Sequence, residues 1–158
     1  MAEPSAATEP GVSPPGTSGK NIGRAAGRWL QQAAYDLADA ELLAAAGRHA
    51  PACFFCHQAA EKSVTAYLLA RGAEQVWGHA LADLCEDAMT LDPSFDFIKS
   101  IAGLLDKYFF ATRYPSGLPG GVPAEAFDGH DSQHAIDIAR DVQQFVAGRI
   151  AAEDTFHE

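Results

Sequence analysis

The sequence predicts an all-α fold, an up-and-down bundle of four or five helices with no β-sheet. Apolar residues recur at helical spacing in successive segments, glycine and proline separate these segments, and none shows the apolar–polar alternation of a strand. The chain has 158 residues, of which 47% are hydrophobic, enough for one domain with a buried core. We therefore expect a helical domain over residues 23–152, between a disordered N-terminal tail at 1–22 and a polar C-terminal tail at 153–158.

The first two helices are defined by apolar stripes and by their end signals. The first is expected over Arg24–Ala46, with Trp29 opening its buried stripe and Gly47 ending it. The second is expected over Cys53–Arg71, where small residues on one face allow another helix to approach closely. Gly72 is suited to the left-handed cap position. We interpret this second segment as the central helix of the bundle.

The remaining elements follow the same reasoning. A short third helix is expected over Ala80–Met89, and a long fourth helix over Ser94–Phe110 after a proline-containing break. Residues 115–130 are rich in proline and glycine and are expected to form a loop, which is long enough to suggest a functional role. The last helix is expected to start at Asp131 or Ser132, since either side chain can cap it.

Composition and charge disfavour some classes of binding partner and cellular location. The formal net charge is −10, which disfavours duplex DNA and anionic membranes but leaves room for a local phosphate site. No apolar run is long enough to span a membrane, and no signal-peptide pattern opens the chain, so a cytoplasmic location is expected. Residues 1–22 are dominated by small, polar and proline residues, which bury too little to offset their ordering entropy.

Cysteine and histidine residues offer metal or cofactor alternatives. The Cys-x-x-Cys-His sequence at residues 53–57 matches c-type haem attachment, and zinc would need a further ligand such as Cys85. Helical spacing already accounts for these cysteines as small buried hydrophobes. His130 and His134 lie four residues apart, but they straddle a predicted helix start, which favours a solvated terminus. We expect no metal and no cofactor.

Four residues are candidates for binding an anionic ligand. Lys62 either pairs with a carboxylate on a neighbouring helix or contacts a phosphate. Arg113 either caps the preceding helix or presents its guanidinium to a phosphate or carboxylate, with Tyr114 available for stacking. His79 either leads into the third helix or lines a pocket.

Several short patterns recur in an order that resembles a known family, the HEPN domains (higher eukaryotes and prokaryotes nucleotide-binding). The resemblance covers about residues 24–150. Its patterns are Ala34-x-Asp36-Leu37-x-x-Ala40, Phe55-x-x-Gln58-Ala59-Ala60-Glu61-Lys62, His79-x-Leu81-x-x-Leu84, Leu105-Asp106-x-Tyr108-x-x-x-Thr112-Arg113-Tyr114-Pro115 and Ala135-x-x-Ile138-Ala139.

The resemblance implies a helical bundle that forms a homodimer, with a polar cleft near the dimer interface. It also implies nucleotide binding. Many bacterial members work with a minimal nucleotidyltransferase partner in a toxin–antitoxin-like or defence system. Many other members are metal-independent ribonucleases that use an Arg-x(4–6)-His motif on the scissile phosphate.

The chain departs from the ribonuclease motif. Counting from Arg113, the histidine should fall within residues 118–120, which are Leu, Pro and Gly, and the next histidine is His130. The binding-type branch is therefore favoured, with Lys62 and Arg113 supplying charge and Tyr114 and His79 forming the base or pocket wall. The alternatives are a ribonuclease that uses Arg113 with His130 or His79, and a scaffold that binds only a protein.

Overall fold

The structure, a computed structural model, is all-α, as the sequence predicted. It describes residues 18–76 and 80–156, with side chains from 23 to 152 within them, and no β-strand occurs in these ranges. None of the helices there is long and apolar enough to cross a membrane. The helices are α1 (Ser18–Ala45), α2 (His49–Ala70), α3 (Leu81–Met89), α4 (Phe95–Ala102), α5 (Tyr108–Ala111), α6 (Pro123–Ala126) and α7 (Gly129–Phe156).

Helix α2 is the centre of the bundle. It packs most extensively against α1 and α7 and also contacts α3, α5 and α6. The alanine side chains of Ala59, Ala60 and Ala66 are fully buried, and their small size lets the neighbouring helices approach closely. The prediction of a central helix in this segment is confirmed.

Glycines end α1 and α2 as the sequence predicted. Gly47 and Gly72 have φ values of 76° and 96°, in the left-handed region that glycine adopts without a Cβ clash. After each glycine, the next N–H donates back into the last helical turn, Arg48 to Leu43 O at 2.8 Å and Ala73 to Leu68 O at 3.0 Å. These bonds satisfy carbonyl groups that would otherwise be exposed at the helix ends.

The prediction of one long fourth helix over residues 94–110 is wrong, because this segment forms three separate elements. Helix α4 is followed by a 3₁₀ turn at Gly103–Leu105 and then by the short α5. Gly103 has low helix propensity, and the N–H of Asp106 bonds to its carbonyl oxygen at 3.2 Å, a spacing of three residues. The tighter turn redirects the chain and places Asp106 beside the start of α3.

The loop predicted over residues 115–130 contains more structure than expected. It holds a 3₁₀ turn at Pro115–Gly117 and the one-turn helix α6, and α7 begins at Gly129. The residue that caps α7 is Asp128, not the predicted Asp131 or Ser132. Its carboxylate accepts N–H bonds from His130 and Asp131 at 3.0 and 3.1 Å, and Asp131 reciprocates by accepting the N–H of Asp128.

Helix α1 differs from its prediction at the start and on its surface. It begins at Ser18, so residues 18–22 of the predicted disordered tail are helical, and residues 1–17 lie outside the described part. Trp29, predicted to open the buried stripe, is 41% exposed. The rest of the predicted stripe is buried at Ala33, Leu37 and Ala40, and Ala26 rather than Trp29 continues it toward the start of the helix.

Gly117 fixes the segment that follows α5, and this generates a stability prediction. A Cβ at this position would lie 2.9 Å from both Ala111 Cα and Phe110 Cδ1. Since a backbone atom cannot move aside cheaply, Gly117→Ala should lower the free energy of unfolding by about 1–3 kcal/mol. Urea unfolding followed by circular dichroism measures this change.

Gly120→Ala is the matched control, because nothing lies within 4 Å of a Cβ built on Gly120. We expect this variant to unfold within about 0.5 kcal/mol of the natural chain. Equal unfolding midpoints for the two variants would contradict the close packing of the turn on α5.

Candidate functional site

Arg113 lies directly after α5 and its guanidinium rests on aromatic rings. Its central carbon is 4.5 Å from the ring centres of both Phe54 and Phe109, and 5.2 Å from that of Tyr114. Its Nε donates to the carbonyl oxygen of Phe109 at 2.8 Å. Through this bond Arg113 caps the C-terminal end of α5, which is one of the two roles predicted for it. The bond fixes the guanidinium in orientation through one nitrogen only.

The two Nη groups of Arg113 make no hydrogen bond or ion pair with another described residue. Arg113 is exposed, and no carboxylate contacts it among the described residues. By contrast, Lys62 pairs with Asp36 and Arg140 pairs with Glu41, each at 2.6 Å. In a chain with an excess of acidic residues, a cation without an internal carboxylate partner is well suited to an external anion.

Exposed aromatic surface continues beside Arg113. The rings of Phe110 and Tyr114 stack with centroids 5.1 Å apart and an interplanar angle of 29°. Tyr114 is 48% exposed, so about half of this residue is accessible to a ligand. The structure therefore brings a guanidinium and an accessible aromatic ring together, the combination required to bind a phosphate and stack a base.

Lys62 occupies a different environment. Its Nζ donates to Asp36 Oδ2 at 2.6 Å and to Gln58 Oε1 at 3.3 Å. Asp36 is buried on α1 and accepts a further bond from Gln32 at 2.9 Å. Lys62 thus makes the interhelical ion pair that was one of its two predicted roles. This pair compensates the negative charge of the buried Asp36.

His57 is a residue whose role the sequence did not reveal. It is fully buried, and its Nε2 donates to Asp106 Oδ1 at 3.0 Å. Asp106 also accepts the N–H groups of Leu81 and Ala82, at 2.7 and 3.0 Å. These are N–H groups of the first turn of α3, which has no cap from its own preceding residue. The only sequence signal was the Leu-Asp-x-Tyr pattern containing Asp106.

Phe109 connects this buried network to Arg113. Its ring centre is 5.3 Å from that of His57 on one side and 4.5 Å from the Arg113 guanidinium on the other. Lys62 lies farther away, because it is eight residues beyond Phe54 on α2, or about 12 Å along the helix axis. The structure therefore brings Arg113 and Tyr114 together and places Lys62 apart from them.

The remaining histidine candidates are not joined to this cluster. His79 lies outside the described residues. His130 is exposed in the first turn of α7, where its N–H bonds to Asp128. The described contacts include none between His130 and Arg113. Within the described residues, no histidine therefore contacts the Arg113 guanidinium, as a ribonuclease that uses both side chains on one phosphate would require.

The cysteines are packed into the core. Cys53, Cys56 and Cys85 are free thiols and are all buried. Burial raises the pKa of Cys53 and Cys85 to about 12, and it raises the pKa of Cys56 as well. The thiols therefore stay protonated at neutral pH in the folded chain. No group of three or more His, Cys, Asp or Glu residues suited to a metal ion occurs in the described part of the chain.

Comparisons with known proteins agree with this architecture. The family model of the HEPN domain matches residues 26–150. The crystal structure of TT1696 from Thermus thermophilus is 36% identical, with a TM-score of 0.72, over 78% of this chain and 96% of that one. The structure of ST0689, described as an archaeal HEPN homologue, is 32% identical, with a TM-score of 0.66, over 79% of this chain and 97% of that one. No curated protein matches significantly.

Asp106→Ala should destabilise the fold strongly. The change removes the acceptor of three bonds, leaves the buried His57 Nε2 without its partner and exposes the start of α3. We expect the free energy of unfolding to fall by about 3 kcal/mol, because the lost bonds are charge-assisted and one of the donors is buried. Urea denaturation measures the loss.

Asp39→Ala is the control for the removal of a carboxylate. Asp39 is exposed on α1 and none of the described contacts involves its side chain. We expect a change within about 0.5 kcal/mol. If both variants unfold at the same urea concentration, Asp106 does not hold α3 in place.

The buried thiols predict a loss of stability at alkaline pH. Unfolded cysteines ionise near a pKa of about 8.5, whereas the folded thiols keep their protons up to the raised pKa. The folded state then binds more protons, so stability is complete below a pH of about 8.5 and falls as pH rises toward 12. Urea midpoints between pH 8 and 11 should decline, with a shallower decline in Cys85→Ala. Rapid labelling of all three thiols in the native protein at pH 8 would argue against this burial.

Proposed function

The chain belongs to the HEPN domain family, and on that premise we propose that it is a dimeric helical module that binds a nucleotide or nucleotide-like phosphate at Arg113. The observation that carries the proposal is the exposed guanidinium of Arg113, which lies on aromatic rings with no carboxylate among its described contacts. The bond from Nε to Phe109 O preorganises the group. The Nη atoms are then available to hold a phosphate through two parallel hydrogen bonds.

The aromatic surface supplies the second part of the recognition. Tyr114 is half exposed beside the guanidinium, so a base can stack on its ring while the phosphate contacts Arg113. Lys62 contributes only if its ammonium is shared between Asp36 and the ligand, because Asp36 already holds it at 2.6 Å. His79, which the family resemblance offers for the base or pocket wall, lies outside the described residues and stays a prediction.

The dimer and the partner protein belong to the same proposal. A site on one protomer is open on its outer side, where Phe110 and Tyr114 are both about half exposed, and a second copy would cover this surface. We propose a cytoplasmic system in which the dimer works with a minimal nucleotidyltransferase, as in toxin–antitoxin-like or defence pairs. Support for this partner comes from the family resemblance. The gene adjacent to this one in the genome tests it.

Ribonuclease activity is the alternative, and it requires a histidine that reaches the phosphate beside Arg113. Among the described residues, His57 is the histidine whose ring contacts Phe109, but it is fully buried and bonded to Asp106. His130 is exposed, but no described contact links it to Arg113. These positions favour binding over cleavage.

A nucleotide should raise the melting temperature of the natural chain, and Arg113→Ala should remove most of this shift. At a ligand concentration of about 100 times the Kd, binding stabilises the folded state by about 2.7 kcal/mol, which corresponds to roughly 5–10 °C. ATP, GTP, AMP and UMP are the probes. Differential scanning fluorimetry with and without each nucleotide measures the shift.

Arg48→Ala is the matched control, because Arg48 is an exposed arginine in the α1–α2 connection, with no described side-chain contact. It should keep the full shift. Arg113→Lys keeps the charge but loses the bidentate geometry, so an intermediate shift is expected. The absence of any shift in the natural chain would sink the binding proposal. Metal-free RNA cleavage that disappears in Arg113→Ala would establish the ribonuclease instead.

A further inference from the structure

A second surface with binding features lies on the outer side of α1, where it meets α2. It is a groove of about 480 Å³, within the range of about 300–1,000 Å³ that is usual for small-molecule sites. We call it the α1 groove. The lining residues used below are Arg28, Trp29, Gln32, Tyr35 and Lys62.

Two aromatic rings are accessible in the α1 groove. Trp29 is 41% exposed and Tyr35 is 61% exposed, although burying large rings is among the strongest driving forces of folding. Arg28, Gln32 and Tyr35 are spaced by four and three residues, so they share one face of α1. The helix therefore presents cationic, amide and aromatic groups together on a surface that the rest of the described chain leaves uncovered.

The local charge of the α1 groove is opposite to that of the whole protein. The net charge is −10, yet residues 23–35 contain two basic residues, Arg24 and Arg28, and no acidic residue. The first acid that follows is Asp36, whose carboxylate is compensated by Lys62 at 2.6 Å. Arg28 is exposed, and no carboxylate contacts it in the described part of the chain. An anion approaching this face therefore meets uncompensated positive charge.

We propose that the α1 groove binds a nucleotide unit, with the base stacked on Trp29 or Tyr35 and the phosphate held by Arg28. Stacking on flat rings tolerates any base, and the guanidinium supplies paired donors to the phosphate. Gln32 uses its Nε2 on Asp36, and its Oε1 is available to accept a bond from a base N–H, such as the N3–H of thymine. The unit comes either from a free nucleotide or from a single strand. Arg28, Trp29, Gln32 and Tyr35 are not part of the Arg113 site, and the phosphate contact proposed here does not use Lys62, so this proposal is independent of the one above.

Trp29 provides the test, because the chain contains only two tryptophans. In a Trp77→Phe background, Trp29 is the only indole, and a base stacked on it should quench its fluorescence saturably. The two probes are thymidine 5′-monophosphate and a short single strand of oligothymidylate, which lacks the 2′-hydroxyl needed for RNA cleavage. Tighter binding of the strand assigns the groove to single-stranded nucleic acid, and equal affinity assigns it to a free nucleotide.

Two substitutions and two controls locate the site. Arg28→Ala and Tyr35→Ala should each raise the Kd about tenfold, as expected for the loss of one phosphate contact or one stacked base. Arg48→Ala should leave the Kd within about twofold, because it removes an equally exposed arginine at least about 25 Å away along α1. Arg113→Ala should also leave the quench unchanged. Fluorescence anisotropy of labelled oligothymidylate repeats the comparison without the Trp77 substitution, in an Arg113→Ala background that removes the proposed Arg113 site.

Several outcomes would overturn the proposal. One is the absence of a quench and of an anisotropy change with both probes, and another is binding that neither Arg28→Ala nor Tyr35→Ala weakens. Binding that is lost only in Arg113→Ala would assign the nucleotide to the Arg113 cluster, supporting the proposed function and refuting the α1 groove. The proposal also fails if the natural chain sediments as a dimer and Tyr35→Ala sediments as a monomer that binds both probes normally. The groove would then be a contact between two copies of the chain.

Discussion

The carboxylate of Asp106 is the interaction on which the placement of the candidate site depends. It accepts a bond from the buried His57 of α2 and two bonds from the first N–H groups of α3. One side chain thus joins the central helix, the start of α3 and the 3₁₀ turn that carries it. Because α5 follows immediately, the position of Asp106 also determines where Phe109 and Arg113 meet α2.

Two sets of cations in this acidic chain differ in their partners. Lys62, Arg140 and Lys99 pair with carboxylates of other helices or of neighbouring segments, and they hold elements of the bundle together. Arg113 and Arg28 have no carboxylate partner among the described residues, and each lies beside exposed aromatic rings. At these two places a guanidinium without a carboxylate partner therefore lies beside stacking surface, which is the combination that recognises nucleotides.

These two surfaces are related through α2. Phe54 supports the Arg113 guanidinium near one end of the helix, and Lys62 borders the α1 groove about 12 Å farther along it. Between them lie Gln58 and Glu61, which are bonded to one another and to their neighbours. The Gln-Ala-Ala-Glu-Lys sequence thus has a physical role: its alanines pack the core and its polar residues form the hydrogen-bonded boundary between the two surfaces.

The sequence by itself determined the fold class, the central helix, the glycine caps at Gly47 and Gly72, and the family, because these depend on local periodicity and on short patterns. It also indicated that Arg113 and Tyr114 are adjacent. Only the tertiary structure decided between the two roles of Lys62, since its carboxylate partner lies 26 residues away on another helix. The same holds for His57 and Asp106, which are 49 residues apart. The broken fourth helix and the exposure of Trp29 followed from packing between helices, which no local pattern records.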